Sequence, residues 1–306
     1  MENRIVAIAG GSGFIGRAIA RRIAAIPSTT VRVLTRNPES AHAKLKIQNC
    51  DFAQADVTLS VSLKEALKGV SAVVNATQFD GYPIENPRRG LTFERIDFGG
   101  TTALLEAARH DGVAQFIYIS GAAADENSGH PAFRAKGLAE RAIRESGLTY
   151  TIFRPSLVYG PEDQVLNRFV RALRMVPIFP VPGTGRQKVQ PVLVDDLAAC
   201  VALALSGRGS NGTYDVGGPE LMTFDEMMHH VMEAAHLSRP IFHIPENAMR
   251  AAGMICEMLP TPPLSRDAVT FVTADNACNI EPLLRDFGIQ LTPMKTGLAY
   301  LAKKKD

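Results

Sequence analysis

The chain has 306 residues, enough for one large domain or for a core domain with a smaller lobe. Hydrophobic residues make up 46% and charged residues 21%, the balance of an ordinary soluble globular protein. A formal net charge of +2 is too near neutral to argue for nucleic acid, and the basic run Lys303-Lys304-Lys305 reads as a solvated tail.

In chain order, residues 4–9 read as a buried strand, 14–26 as an amphipathic helix and 30–35 as a second strand. Residues 62–67 look helical and 72–76 extended. A long helix is expected over 99–109, a strand over 115–120, a helix over 132–146 and a strand over 150–153. Strands that alternate with helices imply the α/β class, with a doubly wound parallel sheet, helices on both faces and right-handed crossovers. After Arg154-Pro155 prolines and glycines become dense, and helical patterns return at 195–205 and 224–235. This divides the chain into a core, residues 1–155, and residues 156–306, mostly a smaller C-terminal substrate lobe with some elements returning to the core. The stretch 240–263, rich in Pro, Met and Ile, reads as part of the packed lobe.

Cys50, Cys200, Cys256 and Cys278 are far apart and form no Cys-x-x-Cys pair, so free thiols in a reducing compartment are expected. The N-terminus enters a strand almost at once, and no apolar run reaches the ~18 residues that a membrane span needs. The expectation is a cytoplasmic protein with no signal peptide and no transmembrane segment.

The most informative segment is Gly10-Gly11-Ser12-Gly13-Phe14-Ile15-Gly16, which follows an apolar strand and opens a helix. In that context it reads as the phosphate-binding turn of a Rossmann-type dinucleotide site. Gly10 permits the tight turn, Gly13 lets the backbone approach the pyrophosphate and Gly16 lets the helix pack closely. The helix N-terminus adds free N–H groups and the positive end of its dipole. The second strand ends Val33-Leu34-Thr35-Arg36-Asn37-Pro38, with no carboxylate at its tip. A carboxylate there would hold the ribose hydroxyls of NAD, whereas Arg36 can pair with a 2′-phosphate, and Arg17 adds a second positive charge. NADP(H) is therefore favoured over NAD(H).

The Gly-x-x-Gly-x-x-Gly spacing resembles the extended short-chain dehydrogenase/reductase superfamily, and the resemblance runs from residue 4 to about 220. Ala55-Asp56-Val57 looks like the segment that places an aspartate beside adenine. Asn75-Ala76-Thr77 resembles the cofactor-lining end of the fourth strand. Asp97-Phe98-Gly99-Gly100-Thr101 resembles an Asn-x-x-Gly-Thr helix start, with Asp where Asn is usual. Arg154-Pro155-Ser156-Leu157-Val158-Tyr159-Gly160-Pro161 is close to the segment near the nicotinamide. The resemblance implies cofactor contacts at Gly10, Gly13, Phe14, Ile15, Gly16, Arg17, Thr35, Arg36, Asp56, Val57, Ala76, Thr77, Lys136, Pro155 and Val158.

The superfamily's chemistry uses a tyrosine as proton donor or acceptor, a lysine four residues later and a serine that positions the substrate oxygen. Ser120 fits the serine and Lys136 the lysine, but the tyrosine position holds Ala132. Loss of such an acid/base typically forfeits about 10²–10⁴-fold in rate. Three readings follow: the cofactor is bound without turnover, Lys136 is itself the acid/base, or His130 or Tyr159 substitutes. Motifs at 32–38, 166–169, 176–192 and 264–267 are similar to the atypical branch that contains the nucleotide-binding accessory subunit of respiratory complex I and its bacterial relatives. That likeness implies an NADPH-dependent oxidoreductase acting on a carbonyl or quinone-like small molecule. The alternative it leaves open is a non-catalytic subunit, assembly factor or sensor in peripheral association with a larger complex. In the loop 183–190, which is expected to face the substrate cleft, Arg186 joins Arg168 as a candidate for an acidic or quinone-like group.

Overall fold

Alternation fixes the first strand: Val6 and Ile8 point to one face of the sheet, Ala7 and Ala9 to the other, and all four are fully buried. Only a strand covered on both sides has that pattern. In the computed structural model, which describes residues 4–257 and 264–302, the core runs β1 (Arg4–Ala9), α1 (Phe14–Ala24), β2 (Thr29–Thr35), α2 (Pro38–Leu45), β3 (Cys50–Gln54), α3 (Ser60–Leu67) and β4 (Ala72–Asn75). It continues through α4 (Gly100–His110), β5 (Gln115–Ile119), α5 (Pro131–Glu145) and β6 (Thr149–Pro155). Lys303-Lys304-Lys305 and part of the stretch 240–263 lie outside the described residues.

The second half runs β7 (Val158–Tyr159), α6 (Val165–Met175), β8 (Phe179–Pro182), β9 (Lys188–Val189), β10 (Val192–Leu193), α7 (Val194–Ala204) and β11 (Gly212–Val216). Then follow β12 (Met222–Thr223), α8 (Phe224–Ala234), β13 (Ile241–Ile244), α9 (Glu246–Cys256), α10 (Arg266–Thr273), α11 (Glu281–Phe287) and α12 (Met294–Gly297).

Seven strands form one parallel sheet in the order β11-β6-β5-β4-β1-β2-β3. The strand sequence reverses between β1 and β4, which opens a crevice at their carboxyl ends, where ligands bind in such sheets. Residues of α1, α2, α7 and α11 fill one face, among them Ile19, Ile23, Leu197, Val201 and Phe287. Residues of α3, α4 and α5 fill the other, including Leu63, Leu104 and Ile143. Thus β11, α7 and α11 all return to the core from beyond residue 155. The lobe packs around Tyr159, Phe179, Phe224, Met227, Met228 and Leu298, with three two-stranded pairings, β7–β10, β9–β12 and β8–β13.

Several boundaries differ from expectation. The first helix ends at Ala24 rather than 26, and a π-helical turn, Glu94–Gly99, precedes α4. The sequence reading has no counterpart for α2, β3 or α6. An eight-residue polar helix such as α2 carries little periodic signal, yet its start is marked: the Asn37 side chain caps it, accepting from Ser40 N at 3.0 Å, with Pro38 in the first turn.

Candidate functional site

The glycine turn lies at the head of the crevice. Gly10 has φ +75°, and a Cβ there would overlap the carbonyl of Ala76. A Cβ on Gly16 would overlap Gly10 O, so this glycine is what lets α1 sit down on the turn. Gly13 differs: a Cβ would meet one atom, Gly10 O at 3.2 Å, and the residue is exposed. The turn is closed by Gly13 N donating to Gly10 O at 2.9 Å. No acidic residue stands in the first turn of α1, so the positive end of its dipole is left for an anion. The Phe14 ring lies 3.5 Å from where a Gly160 Cβ would be, which ties the turn to the segment after β7, while Ile15 packs into the core.

Around this turn the expected contact residues converge from three strand ends. Ala76 N donates to Ala9 O at 2.9 Å, and Thr77 N donates to Asn75 Oδ1 at 3.0 Å. Thr77 Oγ1 is buried and has no hydrogen-bond partner among the described residues. An orphaned hydroxyl beside an open helix N-terminus and a glycine with room above it suits a phosphorylated dinucleotide. Thr35 Oγ1 accepts from Asn37 N at 3.3 Å. Arg36 is exposed and ion-paired to Asp80, Nη2 to Oδ2 at 2.8 Å. Arg17 pairs with Glu162 at 3.1 Å, while its Nε is buried without a hydrogen-bond partner. Asp56 spends Oδ1 on its own turn, accepting from Thr58 N at 2.8 Å and Thr58 Oγ1 at 2.7 Å, and Val57 packs against Gly100. Pro155 is buried and Val158 half-buried against the sheet core.

Further along the crevice, α5 presents Lys136, whose ammonium is 3.2 Å from Asp97 Oδ1. The side chains are 11% and 0% exposed. Burial alone would push the lysine down, but Tyr118, Asp97 and Tyr82 together hold it above its ordinary value. Burial raises the Asp97 carboxyl, and the ammonium opposes that rise. The π-helical turn delivers Asp97 here, and Thr101 Oγ1, donating to the Asp97 carbonyl and accepting from Asn75 Nδ2, locks the turn to β4. Lys136 Nζ lies 5.6 Å from the Tyr118 ring centroid. The Tyr118 phenol is buried with no hydrogen-bond partner among the described residues, and burial pushes it up to about 12.

Ser120 follows β5 directly, one residue beyond the strand end at Ile119, and its hydroxyl donates to Glu140 Oε1 at 2.7 Å. Glu140 is fully buried and also accepts from Arg154 Nε at 2.8 Å, Arg154 Nη2 at 2.6 Å and Arg144 Nη2 at 2.6 Å. This charge-assisted knot holds Ser120 and β6 against α5. Ala132, 1% exposed, is packed among Phe79, Phe93 and Ala135, with Tyr82, Phe133 and Phe271 against the same cluster. Rings from the loop after β4 and from α10 therefore share one apolar cluster with the alanine. His130 is half-buried at 17% exposed, its ring centroid lies 4.6 Å from that of Phe133 at a tilt of 33°, and its Nε2 is 3.3 Å from Asp267. Tyr159 is fully buried in the lobe core with its hydroxyl against Gly297. Arg168 bonds Gln164 at 3.0 Å, Arg186 is exposed, and Gln190 is buried as a tie between Gly218 O and Cys278 N. In the sequence Asp97 stands out only as a departure from Asn, and Tyr118 is one more residue of a buried strand. Asp80 and Tyr82 carry no motif and were missed.

Among the described residues no helix is long and apolar enough to cross a membrane, and all four cysteines are free. Residues 6–217 match the NAD dependent epimerase/dehydratase family. The chain is 30% identical over 227 residues to the alpha subcomplex subunit 9 of mitochondrial NADH dehydrogenase (ubiquinone) from Arabidopsis thaliana, covering 73% of this chain and 56% of that protein. It is 24% identical over 321 residues to a 2-alkyl-3-oxoalkanoate reductase of Stenotrophomonas maltophilia, covering 92% and 93%. Its fold is that of an Escherichia coli NADPH-dependent quinone oxidoreductase complexed with NADPH, with a TM-score of 0.76 at 21% identity over 97% and 99% of the two chains. The chain belongs to the NAD dependent epimerase/dehydratase family, an NAD(P)-binding family of extended short-chain type.

Proposed function

From that membership we propose that the chain binds NADP(H) in the crevice above Gly10–Gly16 and holds it as a resident ligand, in place of ordinary carbonyl reduction. One observation carries this reading: each of the three positions that would handle the proton is either missing or engaged. Position 132 is alanine, the Ser120 hydroxyl is bonded to Glu140, and the Lys136 ammonium is paired with Asp97. When bound, a nicotinamide supplies a hydride, but a carbonyl oxygen also needs a proton: position 132 has no phenol, the Ser120 hydrogen is committed to a carboxylate, and the Lys136 ammonium, which keeps N–H groups to bind a ribose, is held in its protonated form beside Asp97. Gly10, Gly13, Phe14, Ile15, Gly16 and Arg17 would hold the phosphates, Thr35, Arg36, Asp56 and Val57 the adenosine half, and Ala76, Thr77, Lys136, Pro155 and Val158 the nicotinamide half.

Several relatives are named as subunits of mitochondrial NADH dehydrogenase, so peripheral membership of a larger assembly fits this reading. The free thiols fit a cytoplasmic setting. A second reading, an NADPH-dependent reductase of a carbonyl or quinone-like compound with an unusual donor, is favoured by the phenol of Tyr118 beside Lys136. The test is a thermal-shift titration with NADPH run beside a turnover panel of carbonyls, enones and quinones. A raised Tm with no NADPH oxidation supports resident binding. Steady oxidation by any of them overturns it in favour of the reductase.

A further inference from the structure

We propose that Asp80 sets the balance between the two dinucleotides, by competing with a 2′-phosphate for Arg36 and by serving as the carboxylate that the tip of β2 lacks. The inference rests on the reading of Arg36 as the 2′-phosphate ligand. Arg36 follows β2 directly and Asp80 lies five residues beyond the end of β4. These two strands flank β1 on opposite sides, so their loops face each other across the carboxyl end of β1, where the glycine turn begins. The guanidinium and carboxylate meet there at 2.8 Å, on side chains 59% and 69% exposed.

Nothing structural requires this contact. It is solvated on both sides and makes no other hydrogen bond among the described residues, so it can be broken by a ligand at little cost to the fold. Its position gives it a consequence for binding. A 2′-phosphate must displace Asp80 from Arg36 and tolerate a carboxylate nearby, which weakens NADPH. A 2′-hydroxyl instead finds in Asp80 the acceptor that NAD sites usually draw from the end of the second strand. With Arg36 and Asp80 paired, one edge of the crevice carries both discriminating groups, and neither cofactor is excluded.

The experiment measures NADPH and NADH dissociation constants of the full chain by fluorescence titration for wild type, Asp80→Asn, Arg36→Asp and the double variant. Asp80→Asn should tighten NADPH about three- to fivefold, the scale of one exposed ion pair, and leave NADH equal or weaker. Its Tm without ligand should be unchanged. In the Arg36→Asp background the Asp80→Asn gain should shrink, because no cation is left to release and only the repulsion between carboxylate and phosphate is relieved. If Asp80→Asn leaves the NADPH-to-NADH ratio unchanged while Arg36→Asp still loses NADPH selectively, the role of Asp80 is overturned and the Arg36 reading stands. If Arg36→Asp weakens both dinucleotides equally, the Arg36 reading fails and Asp80 falls with it.

Discussion

Replacing Lys136 with methionine keeps the volume of the side chain and removes its charge, leaving the Asp97 carboxylate buried with no counter-ion. At 3.2 Å and an effective dielectric constant near 20, two unit charges attract with about 5 kcal/mol. Burial of both groups offsets much of that, so the pair itself adds little net stability. Breaking it by removing one partner is different and typically costs about 3–5 kcal/mol. For a chain of this size that lowers Tm by roughly 5–8 °C. In Lys136→Met the Asp97 carboxyl, already raised by burial, loses the ammonium that opposed the rise. Its folded-state pKa then stands further above the unfolded value, and the folded protein holds the proton more tightly. Stability therefore falls as pH rises above the ordinary aspartate value of about 4, and the deficit is smallest in acid and largest near neutrality. Asp97→Asn combined with Lys136→Met removes both charges and should recover most of the loss, with a coupling of about 2–3 kcal/mol in urea unfolding. Additive losses, or a Lys136→Met deficit that does not change between pH 5 and pH 8, would refute the buried-pair account.

Two further outcomes test the crevice directly. Gly16→Ala forces a Cβ into the Gly10 carbonyl and should destabilise the fold by about 1–3 kcal/mol or more, read as a lower Tm without ligand. Gly13→Ala meets one atom at 3.2 Å, so Tm should hold while NADPH affinity drops, and an equal Tm loss in both variants would contradict the assignment of Gly13 to the ligand side. Arg36→Asp should weaken NADPH far more than NADH in the same titration, and equal losses would rule out a 2′-phosphate role.

The parts of the molecule that were legible in the sequence are those where burial imposes a strict pattern. β1 alternates Val6 and Ile8 against Ala7 and Ala9 because both sheet faces are covered, and each glycine of the turn answers a steric demand of the backbone. The edge strand β3 has a neighbour on one side only and buries none of its five residues fully, so no apolar run announces it. α6 is amphipathic, but it sits among prolines and glycines that read as loop. At the site, local sequence gave Ser120 and Lys136 their places but not their partners. Glu140 reaches Ser120 from one turn further along α5, and Asp80 reaches Arg36 from 44 residues away. Such pairings depend on where the crossovers bring strand ends together, which spacing along the chain does not encode.

Ala132, Lys136 and Ser120 share a property that bears on how the site arose. A site that merely lost its tyrosine would leave a gap beside the lysine. Here Ala132 is buried in the cluster of Phe79, Tyr82 and Phe93, Lys136 is matched by Asp97, and Ser120 is absorbed into a carboxylate with four donors. Each of the three is locally satisfied, as a repacked site requires. Restoring the tyrosine alone therefore works against the packing: Ala132→Tyr adds a ring to a closed aromatic cluster and should cost about 1–3 kcal/mol. Pairing it with Tyr82→Ala vacates a ring from the same cluster and should recover Tm by several degrees relative to Ala132→Tyr alone. If Ala132→Tyr by itself leaves Tm unchanged, the space beside Lys136 is open and the repacking argument fails. If the double variant recovers stability and also begins to oxidise NADPH with a quinone or ketone, the missing phenol is what separates this crevice from a reductase.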